Sequence, residues 1–210
     1  MISPKRRPLA PVAEPAPVAP PLFFPRGPGP LVSVLLPTRK RPDWLKESVA
    51  SLIDKAVEPS RVEFIIKVDD DDPESFDVAT QLMQRHRDQN GGSIQTISTP
   101  RGGAYLDMHL WATEMAKLAT GDWLYLWNDD ARMTVNQWDH ILLFASIHQT
   151  ATWHGCPDIC ALLTHSIELP WATEFMFLRR KVFELLGHYS LSPHNDTYVY
   201  RMLSFISSEL

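Results

Sequence analysis

Apolar and polar residues follow two alternating periods along residues 31–126. Apolar runs typical of strands are separated by segments in which apolar residues recur at helical spacing. Strands are predicted at residues 32–36, 62–68, 94–97 and 124–127, and helices at residues 42–56, 74–86 and 105–119. In the third helix we expect Leu106, Leu110, Met115 and Leu118 to face inward. Strict alternation of strands and helices predicts an α/β fold, in which a mostly parallel sheet carries helices on both faces.

The fourth strand leads directly into two adjacent carboxylates. Its apolar run, residues 124–127, is entered through Gly121 and Asp122 and predicts a strand buried on both faces. Asn128, Asp129 and Asp130 follow at once. Open α/β sheets bind ligands at the carboxyl ends of their strands, and magnesium is usually held there by one or two carboxylates plus substrate phosphates. A plain polar turn after a strand is the alternative interpretation.

The remaining chain continues the same alternation less regularly. Helices are predicted at residues 138–148, 179–186 and 196–207, and strands at residues 159–163 and 175–178. We therefore expect a single folded domain over residues 31–210. Residues 1–30 hold ten of the eighteen prolines and predict an extended or disordered tail.

Charge and hydropathy exclude two classes of protein. The formal charge is −5, and residues 1–30 carry four basic residues against Glu14 alone, so residues 31–210 carry −8. General binding of nucleic acid needs a basic face, and this acidic balance argues against it. No apolar run approaches the length of a membrane span. We expect no membrane span and a cytoplasmic protein.

Polar groups follow three of the predicted strands. The first strand is followed by Thr38 and Arg39, the second by the acids of residues 69–72, and the fourth by Asn128 and the acids Asp129 and Asp130. Parallel strands bring these groups to one edge, where a cation could face phosphates and acids could hold a metal and a base or ribose. Neither G-x-x-x-x-G-K-[ST] nor G-x-G-x-x-G is present, which argues against a P-loop or a dinucleotide fold.

The segments VSVLLPTRKRPDWLKESVASL, EFIIKVDDDD and ATGDWLYLWNDDA resemble, in this order, glycosyltransferase family 2. The resemblance implies the GT-A (Rossmann-like) fold, with residues 31–135 as the nucleotide-sugar half and residues 136–210 as the acceptor-side half. It implies a UDP-sugar donor and Mn or Mg as cofactor. Nucleotide contacts are implied for Pro37, Thr38, Arg39 and one acid of residues 69–71, for which we choose Asp70. Asp129 and Asp130 are implied to bind the metal and the sugar diphosphate.

The family pattern is matched less closely elsewhere. Trp127 stands where the family commonly has an acid two places before the paired acids, and Arg101 or His109 would supply the usual cation near the phosphates. Asp196 matches the acid that opens a late helix and is implied to be the general base, although an N-cap would place the same residue there. Arg201 is not followed by the Trp that the processive enzymes of the family have there, so we expect a hexosyltransferase-type enzyme that transfers single sugars.

Other functions stay open on the sequence alone. A catalytically inactive nucleotide-sugar-binding module and a nucleotidyltransferase are the alternatives, and the acceptor could be a glycan, a protein or a small molecule. Cys156 and Cys160, with His154 and His165, lack a familiar zinc-site spacing, so two buried thiols are the favoured interpretation.

Overall fold

The computed structural model describes residues 29–152, 159–164 and 175–209, and a six-stranded sheet lies at its centre. The strands are β1 (Val32–Thr38), β2 (Val62–Asp69), β3 (Ser93–Thr99), β4 (Trp123–Leu126), β5 (Ala161–Leu163) and β6 (Met176–Arg179). Their order across the sheet is β3-β2-β1-β4-β6-β5. The first four are mutually parallel, whereas β6 runs antiparallel to both β4 and β5.

Helices cover both faces of this sheet. They are α1 (Pro42–Asp54), α2 (Pro73–Asn90), α3 (Met108–Leu118), α4 (Trp138–Thr152), α5 (Arg180–Leu186) and α6 (Asn195–Glu209). Buried residues of α1, α2 and α4 share one core, and those of α3, α5 and α6 share the other. The predicted α/β architecture is confirmed. Helices α2 and α4 each continue four residues beyond the prediction, and α2 ends where Gly91 adopts a left-handed φ of 68°.

The inward face of α3 differs from the prediction. Leu106, Leu110 and Leu118 are 67%, 51% and 39% exposed, and only Met115 of the four predicted residues is buried. Residues 104–107 form a 3-10 turn, so the α-helical phase begins at Met108 and not at Tyr105. The face that packs into the core is made of Ala112, Met115 and Ala116.

A buried hydrogen-bond network holds β4 against β1 and β2 at their amino ends. The Glu63 carboxylate accepts from the backbone N–H of Thr120 at 2.8 Å, from the Thr120 hydroxyl at 3.0 Å and from the Ser33 hydroxyl. The N–H of Gly121 donates to Ser33 Oγ at 2.8 Å. A buried carboxylate with several donors is compensated for its lost hydration, so this network fixes the entry of β4 into the sheet.

Some predictions fall outside the described residues. These are residues 1–28 of the tail predicted at residues 1–30, and Cys156, His154 and His165; Cys160, in contrast, is described and is buried as expected. None of the described helices is both long enough and apolar enough to cross a bilayer.

Candidate active site

The carboxyl ends of the four parallel strands meet at one edge of the sheet, called the carboxyl edge below. Thr38 pairs with Val68, and Asp69 pairs with Thr99, so the ends of β1, β2 and β3 lie side by side. The hydroxyl of Thr38 donates to Asp129 Oδ2 at 2.8 Å, which joins the end of β1 to the turn after β4. The structure therefore brings together the polar groups that follow β1 and β4, although Thr38 and Asp129 are 91 residues apart in the sequence.

The two adjacent acids after β4 lie in different environments. Asp129 is buried and Asp130 is exposed. One Arg41 Nη1 atom lies 3.3 Å from Asp129 Oδ1 and 3.3 Å from Asp130 Oδ2, and so bridges them. Burial raises the pKa of Asp129, although hydrogen bonds from Thr38 and Arg41 oppose this shift. Sequence reasoning did not assign Arg41; the basic run that follows β1 was the available signal.

Trp127 and Asn128 have separate roles in this turn. Trp127 is buried and donates its indole N–H to Ser48 Oγ at 2.8 Å. The same hydroxyl donates to the carbonyl of Asn128 at 3.2 Å, so α1 holds the turn in place. The Asn128 side chain is exposed. The residue that replaces the family's acid is thus part of the core, and the turn still presents Asp129 and Asp130 at the carboxyl edge.

Arg39 pairs with two of the four acids after β2. Its guanidinium donates to both oxygens of Asp71, at 2.5 and 2.8 Å, and to Asp69 Oδ2 at 2.5 Å. These bonds raise the pKa of Arg39 and hold the pKa of Asp71 below its ordinary value. Asp69 is buried and also contacts Lys67, whose ammonium lies 3.9 Å from the ring centroid of Trp111. Neither Lys67 nor this pairing was expected from the sequence.

The other two acids are distinguished by their contacts. Asp72 is the N-cap of α2: its carboxylate accepts from the N–H of Ser75 at 3.2 Å and also from the N–H of Lys40. Partial burial opposes the shift, but these hydrogen bonds lower the pKa of Asp72. Asp70 is exposed, its N–H donates to the carbonyl of Thr99, and its carboxylate makes no hydrogen bond or ion pair within the described part of the chain. Of the four, only the Asp70 carboxylate is free to receive a ligand without breaking a contact between described residues.

Arg101 and His109 follow β3 at the same edge. Arg101 is exposed, and its charge makes a small contribution to the lowered pKa of Asp71. Gly102, the next residue, has a φ of 56°, a conformation that glycine adopts without strain. His109 lies in the first turn of α3, and its Nδ1 is buried without a hydrogen-bond partner in the structure as described.

Asp196 lies in the first turn of α6, which begins one residue earlier at Asn195, so Asp196 is not the N-cap. Tyr189, in the segment between α5 and α6, is buried and hydrogen-bonds to the backbone of Leu126 at the end of β4. Burial raises the pKa of Tyr189, and the charge of Asp196 raises it further. Tyr189 therefore links the segment before α6 to the strand that leads into the paired acids.

The donor atoms at the carboxyl edge suit a hard divalent cation. Asp129 and Asp130 offer carboxylate oxygens, and Asn128 adds an exposed amide. Among the residues that the structure describes, no group of three or more His, Cys, Asp or Glu could hold a metal by itself. Two carboxylates nevertheless match a magnesium-type site that phosphate oxygens and water complete, so the residues present fit such an ion.

Several solved structures have folds similar to that of this chain. The chain superposes on a mannosyltransferase, PcManGT from Pyrobaculum calidifontis in complex with GDP-Man and Mn²⁺, with a TM-score of 0.61 and 13% identity over 83% of this chain and 52% of the other. It superposes on residues 1–349 of TarS from S. aureus with a TM-score of 0.53 and 14% identity over 80% of this chain and 53% of the other. For TarS 1–349 with UDP-GlcNAc the TM-score is 0.51, with 15% identity over 80% and 52%. The chain spans about half the length of these structures.

The sheet order, the helices on both faces and the acids at the carboxyl edge define a GT-A glycosyltransferase domain. The sequence profile of "Glycosyl transferase family 2" matches residues 33–195, and the chain belongs to this family. No curated protein sequence matches it significantly.

Proposed function

We propose that the protein transfers one hexose from a nucleotide-diphosphate sugar to an acceptor hydroxyl, with metal assistance and inversion at the anomeric carbon. The observation that supports this most directly is the contact between Thr38 and Asp129, together with the position of Arg41 between Asp129 and Asp130. Open α/β sheets bind ligands at the carboxyl ends of their strands, so a hydroxyl, a cation and two acids would face a sugar diphosphate bound there. Residues 31–135 would form the donor half and residues 136–210 the acceptor side.

Donor binding would use groups along the carboxyl edge. Pro37 and Thr38 end β1, and Arg39 and Arg101 bring positive charge to the part of the edge near β2 and β3. The free carboxylate of Asp70 would accept from the base or ribose. Two of the similar structures contain GDP-Man with Mn²⁺ and UDP-GlcNAc, and we keep a UDP-sugar as the expected donor.

The divalent cation, Mn or Mg, would be held by Asp129 and Asp130 and would supply electrostatic stabilisation of the leaving diphosphate. Arg41 is half exposed and its contacts to both acids are long, so its side chain can leave them when a cation binds. Asp129 is oriented by the Thr38 hydroxyl, which needs no rearrangement.

The reaction needs one base and one leaving group. The acceptor oxygen attacks the anomeric carbon while its proton passes to the carboxylate of Asp196. The bond from that carbon to the diphosphate oxygen breaks, and its electron pair leaves with the nucleotide diphosphate. A single displacement of this kind inverts the anomeric centre and requires no covalent enzyme intermediate.

Metal-dependent release of free nucleotide diphosphate from a panel of UDP- and GDP-sugars tests the proposal. We expect release with Mn or Mg from one donor and none with chelator. Asp196→Asn should keep donor binding but slow transfer about 100-fold or more, the usual contribution of a general base. The matched control is Asp88→Asn, an exposed acid near the far end of α2, which should change neither quantity. Absence of donor binding with every sugar nucleotide would overturn the proposal.

A second candidate is supported by the position of Arg41. The candidate is a module that binds nucleotide sugars without turnover. The Arg41 guanidinium already bridges Asp129 and Asp130, so it could occupy the place of the metal and neutralise the charge of the diphosphate itself. Calorimetry with UDP-sugar, with and without Mn, distinguishes this module from the metal-dependent enzyme. A Kd for UDP-sugar that does not change when Mn is added supports a role for Arg41 in place of the metal.

A further inference from the structure

A lysine is buried beneath the carboxyl edge, near the end of β2. Lys67 is 1% exposed, and Asp69, two residues further along the strand, is 3% exposed. The two side chains share one face of the strand, where the Lys67 ammonium pairs with Asp69 Oδ1 and lies 3.9 Å from the ring centroid of Trp111 on α3. Burying an ammonium has a large free-energy cost, which an ion pair and an aromatic ring offset only in part. The donor site proposed above gives this lysine no role.

The charge of Lys67 is connected to the protein surface through Asp69 and Arg39. Asp69 Oδ2 accepts from Arg39 Nη1 at 2.5 Å, and the same guanidinium donates to both carboxylate oxygens of Asp71. The four side chains therefore alternate in sign from the core to the solvent, where Asp71 is half exposed. We call Lys67, Asp69, Arg39 and Asp71 the charge chain.

Two parts of the proposed donor site depend on the charge chain. A guanidinium carries N–H groups on Nε, Nη1 and Nη2, and the three bonds of Arg39 leave Nε–H and one Nη2–H without a partner among the described residues. These groups can bind a ligand oxygen while Arg39 keeps its bonds to both acids. Asp70 lies between Asp69 and Asp71, both of which Arg39 holds, so the free Asp70 carboxylate is presented by an anchored loop.

Lys67 controls how Arg39 is shared between the two acids. Opposite charges attract more strongly in the interior than in water, and Asp69 is the buried acid of the two. With Lys67 present, Asp69 has a second counterion, so Arg39 can also bind Asp71. Without Lys67, the buried carboxylate would either draw Arg39 inward, away from Asp71, or take up a proton and release it. Both changes would move the Arg39 guanidinium.

We propose that Lys67 is a positioning residue for the donor: through Asp69 it fixes Arg39, and with Arg39 the loop that carries Asp70. This inference rests on the proposed function, in which Arg39 and Asp70 contact the nucleotide. Lys67 itself touches no ligand, since its side chain is almost fully buried. Its removal should therefore weaken donor binding and leave the chemical step nearly unchanged, because the metal-binding acids and the general base lie outside the charge chain.

A double-mutant cycle on the full chain tests this connection. The variants are Lys67→Met, Asp69→Ala and the two combined; the combined variant leaves neither charge unpaired in the core, so it should fold even if Lys67→Met alone does not. Calorimetry with UDP and with GDP, each with Mn, measures the Kd. We expect each variant to raise the Kd about tenfold, the effect of losing one charge-assisted hydrogen bond. The combined variant should bind no more weakly than either single one, because Lys67 acts through Asp69.

Steady-state kinetics distinguish positioning from a purely structural role. For release of nucleotide diphosphate from the donor, KM should rise about tenfold in the combined variant while kcat stays within about twofold. An ion pair that serves only the fold would lower the thermal midpoint and leave Kd and KM unchanged at temperatures below it. That result would overturn the proposal, as would a Kd about 100-fold higher in the combined variant, the product of two independent effects.

Lys181→Met is the matched control. Lys181 is 54% exposed on α5 and pairs with Glu184 at 3.4 Å. Helix α5 follows β6, whose Arg179 pairs with Trp123 at the start of β4, so Lys181 lies toward the opposite edge of the sheet. Kd and KM should stay unchanged in this variant. If the unaltered chain binds neither UDP nor GDP, the proposed function is overturned; if it binds one of them and the combined variant binds it equally well, the positioning role alone is overturned.

Discussion

Asp129 and Asp130 are adjacent in sequence, but burial gives them different properties. Asp129 is buried, oriented by Thr38 and has a raised pKa, whereas Asp130 is exposed and contacts only Arg41 among the described residues. A buried carboxylate with a raised pKa destabilises the folded protein when it is charged, because the unfolded chain ionises more readily. The same rigid carboxylate is well placed to hold a cation.

Asp129→Asn should therefore separate stability from metal binding. At neutral pH we expect the metal-free variant to have a thermal midpoint at or above that of the unaltered chain, since a buried charge is removed. Mn-dependent binding of UDP should fall at least about tenfold, because one of two carboxylate ligands is lost. Thermal unfolding and calorimetry measure the two effects.

Asp130→Asn is the matched comparison at the neighbouring position. Its carboxylate is exposed, so the thermal midpoint should stay unchanged while Mn-dependent binding weakens to a similar degree. Retention of full Mn-dependent binding in both variants would remove these residues from the metal site.

At the scale of elements, the entry to β4 depends on a close approach between backbones. A Cβ added to Gly121 would lie 2.7 Å from the backbone nitrogen of Ser33 and 2.8 Å from the carbonyl carbon of Val32. Gly91, in contrast, ends α2 with a φ of 68° and has nothing within 4 Å of an added Cβ. The two glycines thus test crowding and backbone conformation separately.

Gly121→Ala should reduce the free energy of unfolding by about 3 kcal/mol, because β1 must move to accept the methyl group. Gly91→Ala should cost only about 1 kcal/mol, the penalty for a left-handed conformation without a steric clash. Urea unfolding of both variants measures the difference. Equal losses would show that the packing of β4 on β1 tolerates the added group.

A buried histidine joins α2 to β2 and makes their packing sensitive to acid. His86 Nε2 lies 3.0 Å from the carbonyl of Val62, and Nδ1 lies 3.2 Å from the amide nitrogen of Asn90. These contacts suit a neutral ring that donates from Nε2 and accepts at Nδ1. Burial lowers the pKa of His86, although the bond to Val62 opposes the shift.

The pH dependence of stability follows from this lowered pKa. The unfolded chain takes up the proton near pH 6.5, before the folded protein does, so the stabilisation is complete above pH 6.5 and is lost as the pH falls below it. Urea midpoints measured on either side of pH 6.5 should show this loss. His86→Gln, which keeps a donor but does not titrate, should have a flatter profile; an unchanged profile would assign the acid sensitivity to other groups.

At the scale of the whole molecule, the carboxyl edge joins four strands, so a ligand bound there should stabilise the entire sheet. UDP-sugar with Mn at about 100 times its Kd should add about 2.7 kcal/mol to the free energy of unfolding. We expect the two together to raise the thermal midpoint more than the sum of their separate effects, and chelator to reverse the rise. A strictly additive response would mean that the metal and the nucleotide bind independently.

Much of the fold and part of the site could be predicted from the sequence. Strands and helices were found because their apolar periods are local, and parallel strands then required that Thr38, the acids of residues 69–72 and the acids of residues 129–130 share one edge. The inward face of α3 was predicted wrongly, because residues 104–107 form a 3-10 turn and the α-helix begins only at Met108, so a different set of residues faces the core.

The sequence by itself determined the α/β alternation and the family, because apolar periods and motifs are local in the chain, and it determined the edge that carries the acids, because parallel strands end on the same side of a sheet. Only the tertiary structure decided which acids are paired: Asp69 and Asp71 with Arg39, Asp72 with the start of α2, and Asp129 with Thr38. The physical reason is that hydrogen bonds act over a few ångströms in space, between side chains that the chain separates by tens of residues.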